Sequence, residues 1–160
     1  MIRTASPVDS QAVCTIYNHY VANTIISFEE QPISIDEMAG RIEEVTHVLP
    51  WYLYEESGRV VGYAYAIPWK SRSAYRYAVE SAVYVSSHFL GKGVGSKLYS
   101  ALITELQRRS FHCVIGGIAL PNVASIALHE KMGFEKVAHF REVGWKFQQR
   151  IDVGYWELLL

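Results

Sequence analysis

A glycine-rich turn between an apolar strand and an amphipathic helix constrains the fold of this 160-residue chain most strongly. Residues 78–86, AVESAVYVS, have the composition of a buried strand, and an apolar stripe over 93–109 predicts a helix. A second strand is predicted over 112–119. A strand, a helix and a strand joined in this way form a βαβ unit, in which the strands lie parallel and the crossover is right-handed. The chain is therefore expected to build its sheet around a parallel strand pair.

The rest of the chain predicts further strands and helices, in the overall order β-α-α-β-β-β-α-β-α-β-β. Ser6 is interpreted as the N-cap of the first helix, whose apolar stripe starts at Val8. The last two strands are expected to break near Gly144 and again through 148–152. Because strands follow one another in the middle of the chain, the fold class is α/β with an α+β-like mixed sheet. We expect about six or seven strands and about four helices in a single domain spanning 1–160.

Composition excludes several classes of function. Half of the residues are apolar, the net charge is −1 and the pI is about 6.6, with no basic stripe, so nucleic acid is not an expected partner. No apolar run approaches the ~20 residues of a membrane span. Cys14 and Cys113 lie in apolar surroundings without a Cys-x-x-Cys motif or a secretory segment, which is typical of reduced thiols in a cytoplasmic protein. The histidines have no metal-ligand spacing, so no metal site is expected. A small molecule is the expected partner.

The glycine-rich turn has the chemistry of a phosphate site. Gly91, Gly93 and Gly95 allow backbone N–H groups to converge on an anion at a helix N-terminus, and Lys92 adds charge at the rim. Ser96 breaks both the P-loop pattern and the dinucleotide-binding pattern. A tight strand-to-helix turn that binds nothing is the alternative.

A family resemblance decides between these alternatives. The stretch VESAVYVSSHFLGKGVGSKLYSALI, followed by IALPNVASIALHEKMGF, resembles the GCN5-related N-acetyltransferases (GNATs). YNHYVANTIISFEEQP, PWKSRSAYRYAVESAVYV and DVGYWEL resemble the phosphinothricin and methionine sulfoximine acetyltransferase branch. The resemblance implies a GNAT fold with splayed central parallel strands, and acetyl-CoA (coenzyme A) as co-substrate. The loop that would wrap its pyrophosphate comprises Leu90, Gly91, Lys92, Gly93, Val94 and Gly95, with Leu90 where the family usually has Gln or Arg.

The resemblance also implies roles for individual cofactor-binding residues. The backbone of Val83, Tyr84 and Val85 would contact the pantetheine arm and stabilise the tetrahedral oxyanion. Asn122 would bind the cofactor arm from a helix N-terminus, where it is also an ordinary N-cap. Lys131 matches a position near the cofactor, although an exposed lysine on a solvated helix face is the alternative.

Two residues are candidates for acid–base catalysis. Glu80 lies in an apolar strand and matches the proposed general base of the branch, which would accept the proton of an ammonium nucleophile. Its alternative is a structural carboxylate paired with Arg72 or Arg76. His129 stands where many family members have a tyrosine, so it would either protonate the departing thiolate or pack at the helix end. Since no Gly-x-Ser-x-Gly elbow is present, direct attack in a ternary complex is expected.

The acceptor side is implied by the branch resemblance alone. Phe28 and Glu29 would line the amino-acid pocket with Tyr84, while Lys70 and Arg72 would face an acidic group of the substrate, or else lie on a solvated loop. Related detoxifying enzymes have a histidine where this chain has Phe147, which puts phosphinothricin itself in question.

These points predict an acetyl-CoA-dependent N-acetyltransferase for a small amino-acid-like amine. The alternatives are a GNAT that acetylates a protein N-terminus or a polyamine, and a non-catalytic acyl-CoA sensor. A homodimer is expected from the resemblance, with Trp145, Tyr155 and Trp156 either at its interface or in the core.

Overall fold

Seven strands form one mixed sheet in the computed structural model, which describes all 160 residues. The strand order is β1-β2-β3-β4-β5-β7-β6, and the expected order of helices and strands along the chain is confirmed. The elements are β1 (Ile2–Thr4), α1 (Ser10–Asn23), α2 (Ile35–Thr46), β2 (Trp51–Glu56), β3 (Arg59–Pro68), β4 (Ala78–Val85), α3 (Val94–Arg108), β5 (Cys113–Leu120), α4 (Val123–Lys131), β6 (Glu135–Lys146) and β7 (Gln149–Leu159).

The parallel pair predicted from the sequence lies at the centre of the sheet, and it is short. Only Ala78–Glu80 of β4 pair with Cys113–Ile115 of β5, whereas every other neighbouring pair of strands is antiparallel. Beyond Glu80, β4 stays paired with β3 as far as Val85, and β5 stays paired with β7 as far as Leu120. The two central strands therefore separate while each remains held on its outer side, which is the splay that the resemblance implied.

Two hydrophobic clusters pack against the sheet. Leu98, Leu102 and Leu106 of α3 belong to one cluster, and α1, α2 and β2 supply most of the other. Side chains of β3 divide between them, since Ala64 joins the α3 cluster and Tyr63 joins the α1–α2 cluster. The sheet is thus covered on both faces, and burial of this apolar surface is the main force that holds β4 in place.

The first helix begins later than its apolar stripe suggested. Pro7–Asp9 form a 3-10 turn in which Asp9 accepts hydrogen bonds from the backbone and side chain of Ser6, and α1 starts only at Ser10. Val8 therefore lies on the turn with 88% of its surface exposed, so its assignment to the buried stripe was wrong. Cys14 and Cys113 are free thiols.

The C-terminal hairpin also differs from its prediction. The register of β6 against β7 shifts between Phe140 and Gly144, where a break was expected, but the strand continues. The expected break through 148–152 was wrong, because the turn consists of Phe147 and Gln148, with φ of 51° and 59°, and β7 is paired from Gln149. No helix combines the length and the apolar composition that a membrane crossing requires.

Candidate active site

The separation of β4 from β5 opens a cavity of about 680 Å³, which we call the larger cavity. Its walls come from β4, β5, β7, α4 and the loop between α1 and α2. Its lining includes Phe28, Glu29, Tyr65, Glu80, Ser81, Val83, Tyr84, Tyr99, Gly117, Asn122, Ser125, His129, Val143 and Tyr155. The larger cavity therefore brings together both catalytic candidates, the two predicted residues of the loop between α1 and α2, and part of the predicted cofactor site.

A second cavity of about 400 Å³, the smaller cavity, adjoins the first. Val83, Tyr84, Asn122 and Ser125 line both cavities, so they form one continuous groove. The smaller cavity continues to the glycine loop and the outer side of α4, where its lining includes Val85, Leu90, Gly91, Gly93, Val94, Gly95 and Lys131. Lys92 does not line it; its Nζ lies 4.5 Å from the centre of the Phe89 ring.

The glycine loop has the backbone that an anion site requires. Gly91 and Gly93 have φ of 74° and 77°, and an added Cβ at either position would meet nothing within 4 Å, so the concave side of the loop is open. Gly93 is the N-cap of α3 and no side chain caps that helix, which leaves the first N–H groups of α3 without partners. Glycine at position 95 has a different structural reason, because a Cβ on Gly95 would lie 3.0 Å from Leu128 Cδ2. Gly95 lets α3 approach α4 closely.

These features fit the pyrophosphate and pantetheine arm of coenzyme A. The open loop and the uncapped helix N-terminus offer donors to phosphate oxygens. Along the groove, β4 has no strand partner on the β5 side beyond Glu80, so its backbone groups there are available to an extended ligand. One of them is taken, because the Tyr20 hydroxyl donates to the Val85 carbonyl. Asn122 accepts a hydrogen bond from Ser125 N at 3.1 Å and so acts as an N-cap while its side chain lines the groove.

Glu80 lies at the point where the central strands separate. It is half-buried and makes no hydrogen bond or ion pair, and burial raises the pKa of its carboxyl group. Its Oε1 would be 3.4 Å from a Cβ on Gly117, an ordinary contact distance, so the carboxylate lies over β5 at that glycine. The alternative role of Glu80, a structural ion pair with an arginine, is not seen. Arg76 instead donates a hydrogen bond to the Ser73 carbonyl and lies over the Tyr77 ring. The carboxylate is thus free to accept a proton.

His129 is almost completely enclosed, with 4% of its surface exposed. Its Nδ1 lies 2.7 Å from the Ser125 carbonyl oxygen and its Nε2 lies 2.8 Å from the Tyr99 hydroxyl. Burial lowers the pKa of the imidazole, and the Ser125 carbonyl bond partly offsets this. A Cβ on Gly116 would lie 2.5 Å from His129 Nε2, so β5 needs glycine there to admit the ring. His129 is therefore packed tightly at this end of α4 while it also lines the larger cavity, and its role as a proton donor stays a prediction.

The loop that carries Phe28 and Glu29 is held from two directions. Glu29 accepts hydrogen bonds from Arg41 at 3.0 and 2.6 Å and another from the Tyr17 hydroxyl, and the Arg41 bonds are the main cause that lowers its pKa. The Phe28 ring lies against β6, where a Cβ on Gly144 would be 2.5 Å from Phe28 Cζ. Lys146 on β6 was not identified from the sequence and is the second anchor.

Lys146 is a buried lysine, with 1% of its surface exposed. Its Nζ donates to the carbonyl oxygens of Val21, at 2.8 Å, and Ser27, at 2.7 Å. It therefore ties the end of α1 to the loop that lines the larger cavity. No local pattern in the sequence identifies it, since its two partners lie 125 and 119 residues away along the chain.

Lys70 and Arg72 lie outside both cavities, on the exposed segment between β3 and β4. The Lys70 Nζ lies 5.2 Å from the centre of the Trp69 ring, which packs edge-on against Tyr155 at the wall of the larger cavity. Their contact with a substrate stays a prediction. Phe147 is exposed at the tip of the β6–β7 turn and lines neither cavity.

The aromatic residues assigned to the C-terminal strands separate into three environments. Trp156 is 1% exposed and belongs to the α3 cluster, which is the core alternative. Tyr155 is half-buried and lines the larger cavity. Only Trp145 is exposed, at 53%. No group of three or more His, Cys, Asp or Glu side chains is arranged to hold a metal ion.

Comparisons with known proteins agree with this geometry. The model of the family described as acetyltransferase (GNAT) domain matches residues 2–154. A phosphinothricin N-acetyltransferase from Streptomyces viridochromogenes is 39% identical over 98% of this chain and 85% of its own length. An L-methionine sulfoximine/L-methionine sulfone acetyltransferase from Salmonella typhimurium is 38% identical over 99% of this chain and 94% of its own. The crystal structure of a GNAT superfamily phosphinothricin acetyltransferase from Sinorhizobium meliloti in complex with AcCoA has a TM-score of 0.96 and 34% identity, and covers 100% of this chain and 88% of that one.

Proposed function

This chain belongs to the GNAT acetyltransferase family and is an acetyl-CoA-dependent N-acetyltransferase, and on that premise we propose that its acceptor is the primary amine of a small amino-acid-like molecule. Phosphinothricin and methionine sulfoximine exemplify the class. The observation that carries the proposal is Glu80, an unpaired, half-buried carboxylate that lines the larger cavity where β4 and β5 separate, with a raised pKa.

Acetyl-CoA supplies an activated acetyl thioester when it is bound. The loop from Leu90 to Gly95 and the N-terminus of α3 are proposed to hold its pyrophosphate, with Lys92 and Lys131 adding positive charge at the rim. Asn122 and the unpaired edge of β4 at Val83 to Val85 would hold the arm that follows. A backbone N–H of this edge is the proposed donor to the oxyanion.

The proton steps are assigned to the two enclosed titratable groups. An amine reaches the enzyme mostly as ammonium at neutral pH, so it must lose a proton before it can attack. Glu80 accepts that proton, directly or through a water molecule. His129 returns a proton to the thiolate leaving group. Both residues line the larger cavity, Glu80 from β4 and His129 from α4.

Phe28, Tyr84 and the aliphatic part of Glu29 are proposed to form the wall that receives the acceptor's side chain. The Glu29 carboxylate is compensated by Arg41, so it does not repel an acidic acceptor as an isolated charge would. Lys70 and Arg72 carry no ion pair and are proposed to attract the acceptor's acidic group. The protein is proposed to work in the cytoplasm, where its two free thiols persist.

A homodimer is proposed to complete the larger cavity. β6 is an edge strand whose exposed apolar residues are Val137, Phe140, Val143 and Trp145, and the exposed Phe147 follows in the β6–β7 turn. An apolar edge of this kind invites association with another chain. Because Val143 also lines the larger cavity, a second copy that covers β6 would shield the acceptor from water.

A thiol-release assay with acetyl-CoA tests the function. The acceptor panel contains phosphinothricin, methionine sulfoximine, common amino acids, a polyamine and peptides with free N-termini. We expect release with the amino-acid analogues at a rate above that of hydrolysis. Release with peptides or the polyamine alone would contradict the proposed acceptor class. Acetyl-CoA binding without release from any amine would identify a sensor instead of an enzyme.

A further inference from the structure

A chain of hydrogen-bonded groups crosses the floor of the larger cavity from β4 to α4. Ser81 Oγ lies 3.2 Å from the Tyr99 hydroxyl, which lies 2.8 Å from His129 Nε2, while His129 Nδ1 faces the Ser125 carbonyl at 2.7 Å. We propose that Tyr99 and Ser81 form a hydroxyl relay that keeps the enclosed His129 hydrogen-bonded in both its neutral and its protonated state without moving any side chain, while the proton itself is exchanged with the larger cavity, which all three residues line. The purpose of this relay rests on the proton-donor role proposed for His129. Tyr99 and Ser81 are positioning residues, since they act through His129.

The resting direction of the relay is set by the Ser125 carbonyl. A carbonyl oxygen only accepts hydrogen bonds, and at 2.7 Å it is closer to Nδ1 than the Ser125 hydroxyl at 3.4 Å, so the neutral imidazole holds its proton on Nδ1 and donates it to the carbonyl. Nε2 then carries an unprotonated lone pair and accepts a hydrogen bond from the Tyr99 hydroxyl. Both ring nitrogens are satisfied, which fixes the Nδ1–H tautomer of an almost completely buried histidine.

Protonation of His129 reverses the relay. Nε2–H must now donate, and the Tyr99 oxygen accepts it once the Tyr99 hydroxyl turns to donate to Ser81 Oγ. The Ser81 hydroxyl in turn faces the Ile115 carbonyl at 3.5 Å. Each end of the relay is therefore a carbonyl that only accepts, and every donor between them has an acceptor in both protonation states. Only hydroxyl hydrogens change direction, which suits a histidine that cannot swing into water.

Few other titratable groups act on this relay. Tyr99 on α3 belongs to it, and the charge of Glu80 on β4 acts on the Tyr99 hydroxyl. On α4, Glu130 accepts the Trp156 indole N–H at 3.4 Å, and Lys131 lines the smaller cavity. The segment of β5 beneath the ring is glycine, and Phe134 covers its edge. The Ser125 carbonyl and the hydroxyl pair are thus the polar groups that face a charged His129.

Nitrogen-15 NMR of the histidine side chains tests the relay directly. In the wild-type protein, neutral His129 should be the Nδ1–H tautomer, and it should still titrate before the fold is lost. Ser81→Ala removes only the acceptor that the protonated state needs, so the proton affinity of His129 should fall on the order of fivefold with the tautomer unchanged. Tyr99→Phe leaves a buried N–H of the imidazolium unpaired, so it should lower the affinity further.

Matched controls separate the relay from general effects of substitution. Ser100→Ala removes an exposed hydroxyl from α3, and Tyr52→Phe removes a half-buried one from β2. Neither should change the His129 titration. An Nε2–H tautomer in the wild type, a His129 that stays neutral until the protein unfolds, or equal titrations in test and control variants would each overturn the proposal. The tautomer measurement needs only the wild type, so it decides even where a variant fails to fold.

The pH profile of thiol release shows whether the proposed function uses this relay. Where His129 is the proton donor, the alkaline limb of kcat should move to lower pH in Ser81→Ala by the same factor as the titration. A shifted titration with an unmoved limb supports the relay and contradicts the role of His129 as donor. The two proposals therefore fail separately.

Discussion

Glu80 illustrates at the scale of one residue how function and stability oppose each other. A carboxyl group whose pKa is raised by folding stabilises the protein fully only below its unfolded pKa, and this contribution is lost as pH rises through the folded pKa. Burial raises the pKa of Glu80, and no partner compensates its charge. At neutral pH the ionised carboxylate therefore reduces the stability of the fold.

Glu80→Gln should separate the two effects. The amide cannot accept the ammonium proton, so kcat should fall about 10²–10⁴-fold while acetyl-CoA affinity changes little. The acidic limb of the wild-type profile, set by the raised pKa of Glu80, should disappear. The amide carries no charge, so the melting temperature at pH 7 should rise, which calorimetry measures. Glu56→Gln, at an exposed position on β2, should change neither quantity. Unchanged turnover across pH would remove Glu80 from the mechanism.

Leu90 is the one apolar side chain at the rim of the glycine loop, and it is 58% exposed. Leu90→Gln would add a donor to a loop whose backbone is proposed to supply most of the contacts to phosphate. Acetyl-CoA should then bind more tightly by about 1 kcal/mol, close to fivefold, in calorimetric titration. Leu159→Gln, at a similarly exposed leucine on β7, is the control. Weaker binding in Leu90→Gln would show that the leucine packs against the bound cofactor.

At the scale of elements, β6 positions the loop between α1 and α2, which carries the proposed acceptor-binding residues and is called the acceptor loop here, through Lys146. Lys146→Met would leave the Val21 and Ser27 carbonyls without their donor, at a cost of about 1–3 kcal/mol in unfolding free energy, measured with urea. The KM for the amine should rise more than the KM for acetyl-CoA, because Phe28 and Glu29 lie on the released loop. Lys136→Met, on an exposed part of the same strand, should leave both constants unchanged. Equal increases in the two KM values would contradict a role confined to the acceptor loop.

The elements could be predicted from the sequence where a local signal defines them. Ser34 is the N-cap of α2 and accepts a hydrogen bond from the backbone N–H of Glu37. This cap, the glycines before α3 and the apolar periods all act over a few residues, so they identify the helices and the central βαβ unit. The position of the β6–β7 turn was not predicted, because Phe147 and Gln148 adopt positive φ although neither is glycine. That conformation results from the pairing of the two strands and leaves no mark in the local sequence.

The residues of the candidate site also divide into those that a local motif predicts and those that it does not. Glu80, His129 and the glycine loop belong to motifs and were identified. Tyr99 and Lys146 were not, because their partners lie 30 and 125 residues away along the chain. Pairings of that separation are set by how α3 and β6 pack on the sheet, which a single sequence does not encode in any local pattern.

At the scale of the whole molecule, the exposed edge strand predicts assembly. The protein should have twice the 18.2 kDa mass of one chain in light scattering. Trp145→Glu places a charge on the apolar edge, so it should favour the monomer and lower acetyl transfer. Val8→Glu, at an exposed apolar residue near the N-terminus, should leave the mass unchanged. A wild-type monomer with full activity would rule out the dimer.

The short pairing of β4 with β5 has a consequence for exchange with solvent. Only three residues of β4 pair with β5. The amides of β4 beyond Glu80 that point towards β5 therefore lack the protection from exchange that is usual in the middle of a sheet. They should exchange hydrogen for deuterium as fast as amides of an edge strand, and slow when acetyl-CoA is added. The central strand β4 thus has an unpaired side within the molecule, and the hydrogen-bonding partner expected there is a ligand.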